Sequence, residues 1–285
     1  MTDPFVHCQE LVRNHDKDRF LTGLFADEND RAGLFALYAF NLEVSRIREK
    51  VSDALPGEVR LQWWRDALSG TEHGSVSDHP VAHAFVRTIE KYDLPETAIA
   101  NLLEARCFDL YDDPMPDMNT LEGYLGETGS IIFQLASMIL THTRAATLAD
   151  TCGHAGVSYA MVNLLRALPW HSRRNQLYIP ADVLSRNNTE AQAFFSLEAG
   201  KPVDSVLDEM RAHTRHHLSA FKERLADVPR QAIPAFLPLC LVEPYLKQME
   251  AGTYQPFHSQ IDLGPLRRQY IIWKSARKAR KITAT

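Results

Sequence analysis

Apolar residues recur at steps of three and four along most of the chain, and strand-like alternation is scarce. Leu34, Leu37, Tyr38, Phe40, Asn41, Val44, Ile47 and Val51 form one stripe of an amphipathic helix that runs through residue 51. A second helix is expected over 58–68, with Leu61, Trp64 and Leu68 on one face. A third starts near Pro80 and stops before Pro95. The stretch 96–110 reads as helix, ended by Asp112-Asp113-Pro114-Met-Pro116, because proline clashes with a continuing turn. Helix resumes at Thr120 and continues through the apolar run 131–140. Another helix covers 149–168 and breaks at Pro169. The pattern over 203–225 predicts the longest helix, and 230–246 is punctuated by Pro234, Pro238 and Pro244. The fold class is therefore all-α. No Ser/Gly-rich linker, composition break or repeat divides the 285 residues, so a single domain over 1–285 is expected.

Composition adds few constraints. The chain is 45% hydrophobic and 24% charged, with net charge −5, as in ordinary soluble globular proteins. Cys8, Cys107, Cys152 and Cys240 lie far apart without zinc-ligand spacing and read as buried thiols in a reducing compartment. The N-terminus lacks the basic and apolar regions of a secretory signal, and no window approaches 18 uninterrupted apolar residues. A cytoplasmic protein is expected, or one peripheral on the cytoplasmic face of the inner membrane.

Two segments carry a specific pattern. Tyr38-Ala-Phe opens the first. Asn163-Leu-Leu-Arg166, Arg173-Arg174 and Tyr178-Ile-Pro180 make up the second. Trp64-Arg65, His79-Pro80-Val81, and Asp109 ahead of Tyr124 fall in a matching order between them. From about residue 15 to about residue 245 the chain resembles the squalene/phytoene synthase family. It is closest to the diverged branch that contains a mitochondrial complex I assembly factor. Phe40-Asn41-Leu42-Glu43, Leu165-Arg166-Ala167-Leu168-Pro169 and Ser172-Arg-Arg-Asn carry that closer likeness. The resemblance implies an isoprenoid-synthase-type helical bundle around a central cavity and a role in building respiratory complex I.

In the family's enzymes a DxxxD pair on each of two facing helices holds magnesium against a prenyl diphosphate. Paired carboxylates suit that task, because the departing diphosphate needs concentrated positive charge and Mg²⁺ prefers oxygen ligands. The matching pairs here are Ser45/Glu49 and Ala167/His171, so Glu49 is the single retained carboxylate. Arg46 and Trp170 stand where the family has further acids. No catalytic residue is assigned, and no cofactor is expected; Mg²⁺ would be required only if the chain were an active prenyltransferase. The resemblance implies that Tyr38, Arg46, Glu49, Asn163, Arg166, His171, Arg173, Arg174 and Tyr178 line or flank the former active-site cavity.

Each of these has an ordinary structural alternative. Glu43, Arg46 and Glu49 are spaced for helix ion pairs. Arg166, in an apolar helix, needs a partner: Glu43 or Glu49, or a bound ligand. Arg173 and Arg174 precede a Tyr-Ile-Pro turn and read by default as a solvated loop pair. Asp109-Leu-Tyr-Asp112-Asp113 satisfies DxxxD but abuts Pro114, and reads as a solvated helix terminus. His213 and His217 share a helix face beside His216. Without an acidic or cysteine partner evident in the sequence, they read as surface or core histidines.

The segment 265–285 contains seven Lys/Arg and no acid, so the remainder of the chain carries −12. Tyr270, Ile271, Ile272 and Trp273 set apolar groups beside those charges, as in a helix lying on an anionic membrane. The alternative is a last core helix with a solvated basic end. No nucleic-acid-binding signature accompanies the charge.

Three functions follow from these readings. One is a non-catalytic factor in complex I assembly, with complex I subunits or assembly intermediates as partners. Another is an active prenyltransferase condensing prenyl diphosphates. The third is a lipid- or isoprenoid-binding module gripping a phosphate with Arg46, Arg166, Arg173 or Arg174. The first and third are compatible.

Overall fold

A computed structural model describes residues 3–70, 76–144 and 146–282; residues 1 and 2 of the N-terminus and 283–285 of the basic segment lie outside the described residues. Every regular element among them is helical. The N-terminal half holds α1 (Pro4–His15), α2 (Lys17–Gly23), α3 (Glu28–Ser45), α4 (Ala54–Ser69), α5 (Pro80–Tyr92), α6 (Glu96–Ala105), α7 (Met118–Leu125) and α8 (Ile131–Thr141). The C-terminal half holds α9 (Ala149–Ser172), α10 (Ala181–Arg186), α11 (Ala191–Phe195), α12 (Lys201–Glu223), α13 (Ile233–Phe236), α14 (Val242–Met249) and α15 (Pro265–Ile282).

Aspartates set several starts. Asp16 accepts from Arg19 N at 2.9 Å and Asp117 from Thr120 N at 2.7 Å, each satisfying an amide that the first helical turn leaves open. The interior of the fold is built around α3, where every residue from Leu34 to Phe40 is buried. That helix packs against α1, α5 and α8, while α9 packs most extensively on α12. A π-helical turn, Gly126–Ser130, joins α7 to α8 and presses on α9. Ser130 Oγ donates to Gly153 O at 2.9 Å, and a Cβ on Gly156 would sit 2.1 Å from Ser130 Cα, so only glycine admits this approach. All four cysteines are free, and burial pushes the thiols of Cys8, Cys152 and Cys240 up to about 12.

Two helix ends depart from the sequence pattern. The apolar stripe continues through Val51, but α3 stops at Ser45 and a 3-10 turn, Arg48–Lys50, follows. Ile47 is still buried, by the turn rather than by a continued helix. Conversely, α9 runs through Pro169 to Ser172. Buried Leu165, Leu168 and Ser172 flank the proline, and their packing holds helical geometry despite the lost amide. With 24 residues α9 is also longer than α12, which has 23.

Candidate functional site

A cavity of about 570 Å³ opens between α2, α3, the π turn, α9, the segment 260–262 and Arg268 of α15. On α9 it meets Ala160, Asn163, Leu164, Ala167 and His171, a stripe at helical spacing that is less buried than the opposite face. From across the cavity α3 contributes Asn41, Leu42 and Ser45.

The four positions that the resemblance matches to metal ligands do not assemble a hard-oxygen site. Ser45 and Ala167 line the cavity, but Ser45 Oγ donates to Leu42 O at 3.3 Å and Ala167 has no ligand atom. His171 also lines it, its ring packed on Tyr178 with centroids 5.0 Å apart. Desolvation drives the His171 imidazole down to about 4, so it stands neutral at physiological pH. Glu49 is outside the lining. The end of α3 at Ser45 puts it on the 3-10 turn, where it pairs with Arg46 at 3.1 Å with both side chains more than a third exposed. Glu43 pairs with Lys50 at 3.1 Å instead of with Arg46. Magnesium, which requires several oxygen ligands, does not fit this donor set.

Arg166 is the best-connected cation of the cavity, and its partners are neither Glu43 nor Glu49. Its Nη1 donates to Asn163 Oδ1 at 2.8 Å and its Nε to Ile261 O at 3.2 Å. The guanidinium lies 3.9 Å from the Tyr245 ring centroid, 3.6 Å from Asp18 and 3.8 Å from Asp262. Buried Asp18 also accepts from Tyr245 OH at 2.7 Å and faces Arg268 Nε at 2.7 Å. Burial pulls the Asp18 carboxyl above its ordinary range, against the effect of Arg166, Tyr245 and Arg268. Asp18, Tyr245, Asp262 and Arg268 went unread in the sequence. Arg268 in particular is one of seven basic residues in its segment, and no periodicity marks it as the one whose charge is buried.

A second buried network borders the cavity. Asp109 is buried, not a solvated helix end. It accepts from Tyr124 at 2.6 Å, from Tyr178 at 2.7 Å and from Arg106 at 3.1 Å. Gln176 donates to the Tyr178 hydroxyl at 2.8 Å. Asp112, by contrast, reaches Arg48 at 3.6 Å with its side chain half exposed.

The remaining candidates lie apart from the cavity lining. Tyr38 is buried, with the Arg19 guanidinium 5.2 Å from its ring centroid. Arg173 donates to Phe257 O at 3.5 Å, and Arg174 lies 4.6 Å over exposed Trp170. Thus Asn163, Arg166 and His171 share one cavity, while Arg46, Glu49, Arg173 and Arg174 do not reach it. The arginines that do line it each face a carboxylate: Arg19 with Asp16 at 3.7 Å, Arg106 with Asp109, and Arg166 and Arg268 with Asp18.

The fold is shared with solved prenyl synthases. A dehydrosqualene synthase superposes with a TM-score of 0.84 at 13% identity, over 98% of this chain and 96% of that one. The squalene synthase HpnC from Alicyclobacillus acidocaldarius gives 0.73 at 17%, over 87% and 93%. By sequence the chain is 27% identical over 259 residues to a Rattus norvegicus protein named NADH dehydrogenase (ubiquinone) complex I, assembly factor 6, covering 91% of this chain and 78% of the rat protein. Its Homo sapiens counterpart is 26% identical over 255 residues, covering 90% and 76%. A phytoene synthase from Rhodobacter capsulatus is 22% identical over 196 residues, covering 66% of this chain and 56% of that enzyme. The pattern of the squalene/phytoene synthase family matches residues 12–269, and the chain belongs to that family.

Proposed function

We propose that this chain acts in the assembly of respiratory complex I and does not condense prenyl diphosphates. The observation that carries the reading is that none of the four positions matched to the metal ligands presents a carboxylate to the cavity, while the carboxylates that do line it, Asp16, Asp18 and Asp262, face arginines. Ionisation of a diphosphate without such a site would lack the positive charge the departing oxygens require. Relatives named as complex I assembly factors at 26–27% identity over most of the chain support the same reading. Metal-free capture of a phosphate headgroup by arginine is less well supported, because each lining arginine already faces a carboxylate.

The place of action we propose is the cytoplasmic face of the inner membrane. No helix among the described residues is long and apolar enough to cross a membrane. On α15, Arg268, Ile272, Ala276 and Ala279 face inward, while Leu266, Tyr270 and Trp273 are 82%, 59% and 48% exposed beside basic side chains. Such a face suits the headgroup region of an anionic bilayer. Deleting the gene should lower the amount of assembled complex I on native gels, with recovery on re-expression. A normal level in the deletion strain would remove the assembly function.

A further inference from the structure

Away from the cavity, His213 and His217 meet one carboxylate, with His154 behind His217. His213 and His217 occupy one face of α12 at i and i+4, and α7 supplies the acidic partner that the sequence did not reveal, Glu122. Glu122 Oε1 lies 3.2 Å from His217 Nε2 and in hydrogen-bond contact with His213 Nε2. The three ligand atoms all fall within 4.8 Å of one another. Ligands held about 2.0–2.1 Å from a tetrahedral ion sit about 3.4 Å apart, so the side chains need only small rotations to surround one.

We propose that Glu122, His213 and His217 bind a single divalent transition-metal ion of the zinc type. Two imidazoles with one carboxylate favour Zn²⁺ or Co²⁺ over Mg²⁺ or Ca²⁺, which take oxygen. The fourth element of the site is His154 on α9, whose Nδ1 is 3.0 Å from Nδ1 of His217. A proton shared between these two nitrogens serves both states. Without metal, His217 Nε2–H donates to Glu122 and its Nδ1 accepts from His154. With metal, the shared proton passes from His154 Nδ1 to His217 Nδ1 and is donated back to His154; the Nε2 proton of His217 leaves to solvent as His154 takes one up at its own Nε2, so both rings stay neutral and His217 Nε2 is free as a ligand. An outer partner of this kind orients metal-bound imidazoles generally. Glu122 and His213 remain partly exposed, which leaves a coordination position open to water. The ion ties α7 to α12. Tyr124 and Leu125, which line the cavity, follow Glu122 on α7, so occupancy would stiffen that wall.

Titrating the untagged, chelator-treated full chain with Co²⁺ tests the site. The expected result is one equivalent bound, with the intense visible d–d absorption of four-coordinate cobalt, displaced by Zn²⁺. Glu122→Gln and His213→Ala, both at partly exposed positions, should each weaken binding by more than about 100-fold, and His154→Phe by about 10- to 100-fold. His216→Ala, at the neighbouring exposed histidine, should leave affinity unchanged. Absence of stoichiometric binding to the folded wild type would overturn the proposal. So would affinity that survives Glu122→Gln and His213→Ala, or that is lost with His216→Ala.

Discussion

Nε of Arg268, on the final helix, lies 2.7 Å from Oδ1 of Asp18, on the short second helix, and both side chains are buried. The contact joins α2 to α15 in the lining of the cavity, where Arg166 reaches the same carboxylate. Removing one member of a buried pair leaves a charge without compensation. Asp18→Ala should therefore lower unfolding free energy by about 3–5 kcal/mol, read from urea midpoints at constant m-value. Asp18→Leu combined with Arg268→Met should recover much of that loss, since an apolar pair of similar volume avoids desolvating either ion. A near-neutral Asp18→Ala would show that the pair does not hold these helices together.

The contact of Gly156 with the π turn makes a sharper local forecast. Gly156→Ala forces a Cβ into the backbone of Ser130 and should destabilise by about 3 kcal/mol or more. Gly153→Ala, one turn away on the same helix with open space at its Cβ, should be neutral or stabilise by about 0.5–1 kcal/mol. Thermal unfolding of the two variants side by side decides this. Equal losses would mean that the helix, rather than the close approach, sets the requirement.

His171 gives the fold an acid sensitivity. Its folded pKa is about 4, below the ordinary value near 6.5, so the unfolded chain takes up the proton first. The associated stability is complete above about pH 6.5 and is lost as pH falls toward 4. For a partly buried ring the effect is on the order of 1–2 kcal/mol. His171→Gln should flatten the pH dependence of stability by that amount between pH 6.5 and 4, measured by denaturant titration. Identical slopes for the two proteins would contradict the assignment.

The exposed face of α15 predicts salt-sensitive binding to vesicles containing phosphatidylglycerol. Lys274→Ala with Lys278→Ala, both exposed, should weaken co-sedimentation roughly tenfold or more at moderate salt. Trp273→Ala should weaken it in a way that added salt does not mask. Unchanged partitioning of all three substitutions would leave the membrane face without support.

The fold was legible because apolar spacing survives in nearly every helix. The α3 stripe from Leu34 to Val44 and the inward face of α5 can be read directly from it. Helix ends were less legible. Nothing in the sequence Ser45-Arg-Ile-Arg-Glu49 stops a helix, because no glycine or proline punctuates it; the burial of Ile47 and the pairing of Lys50 with Glu43 are tertiary effects. The site was legible at Asn41, Leu42 and Ser45 on α3, and along α9, where one helix carries Asn163, Arg166 and His171. Their partners, Asp18, Tyr245 and Asp262, come from distant segments, and periodicity carries no information about which distant side chains meet. The same holds for Glu122, whose pairing with His213 and His217 depends on the packing of α7 beside α12.

The central claim is that a prenyl-synthase scaffold here performs no prenyl transfer. Its most direct test is incubation of the purified chain with farnesyl or geranylgeranyl diphosphate and Mg²⁺, followed by analysis of the extracted lipids. The account predicts no head-to-head condensation product above the protein-free control. Clear turnover to a squalene- or phytoene-like product would contradict it.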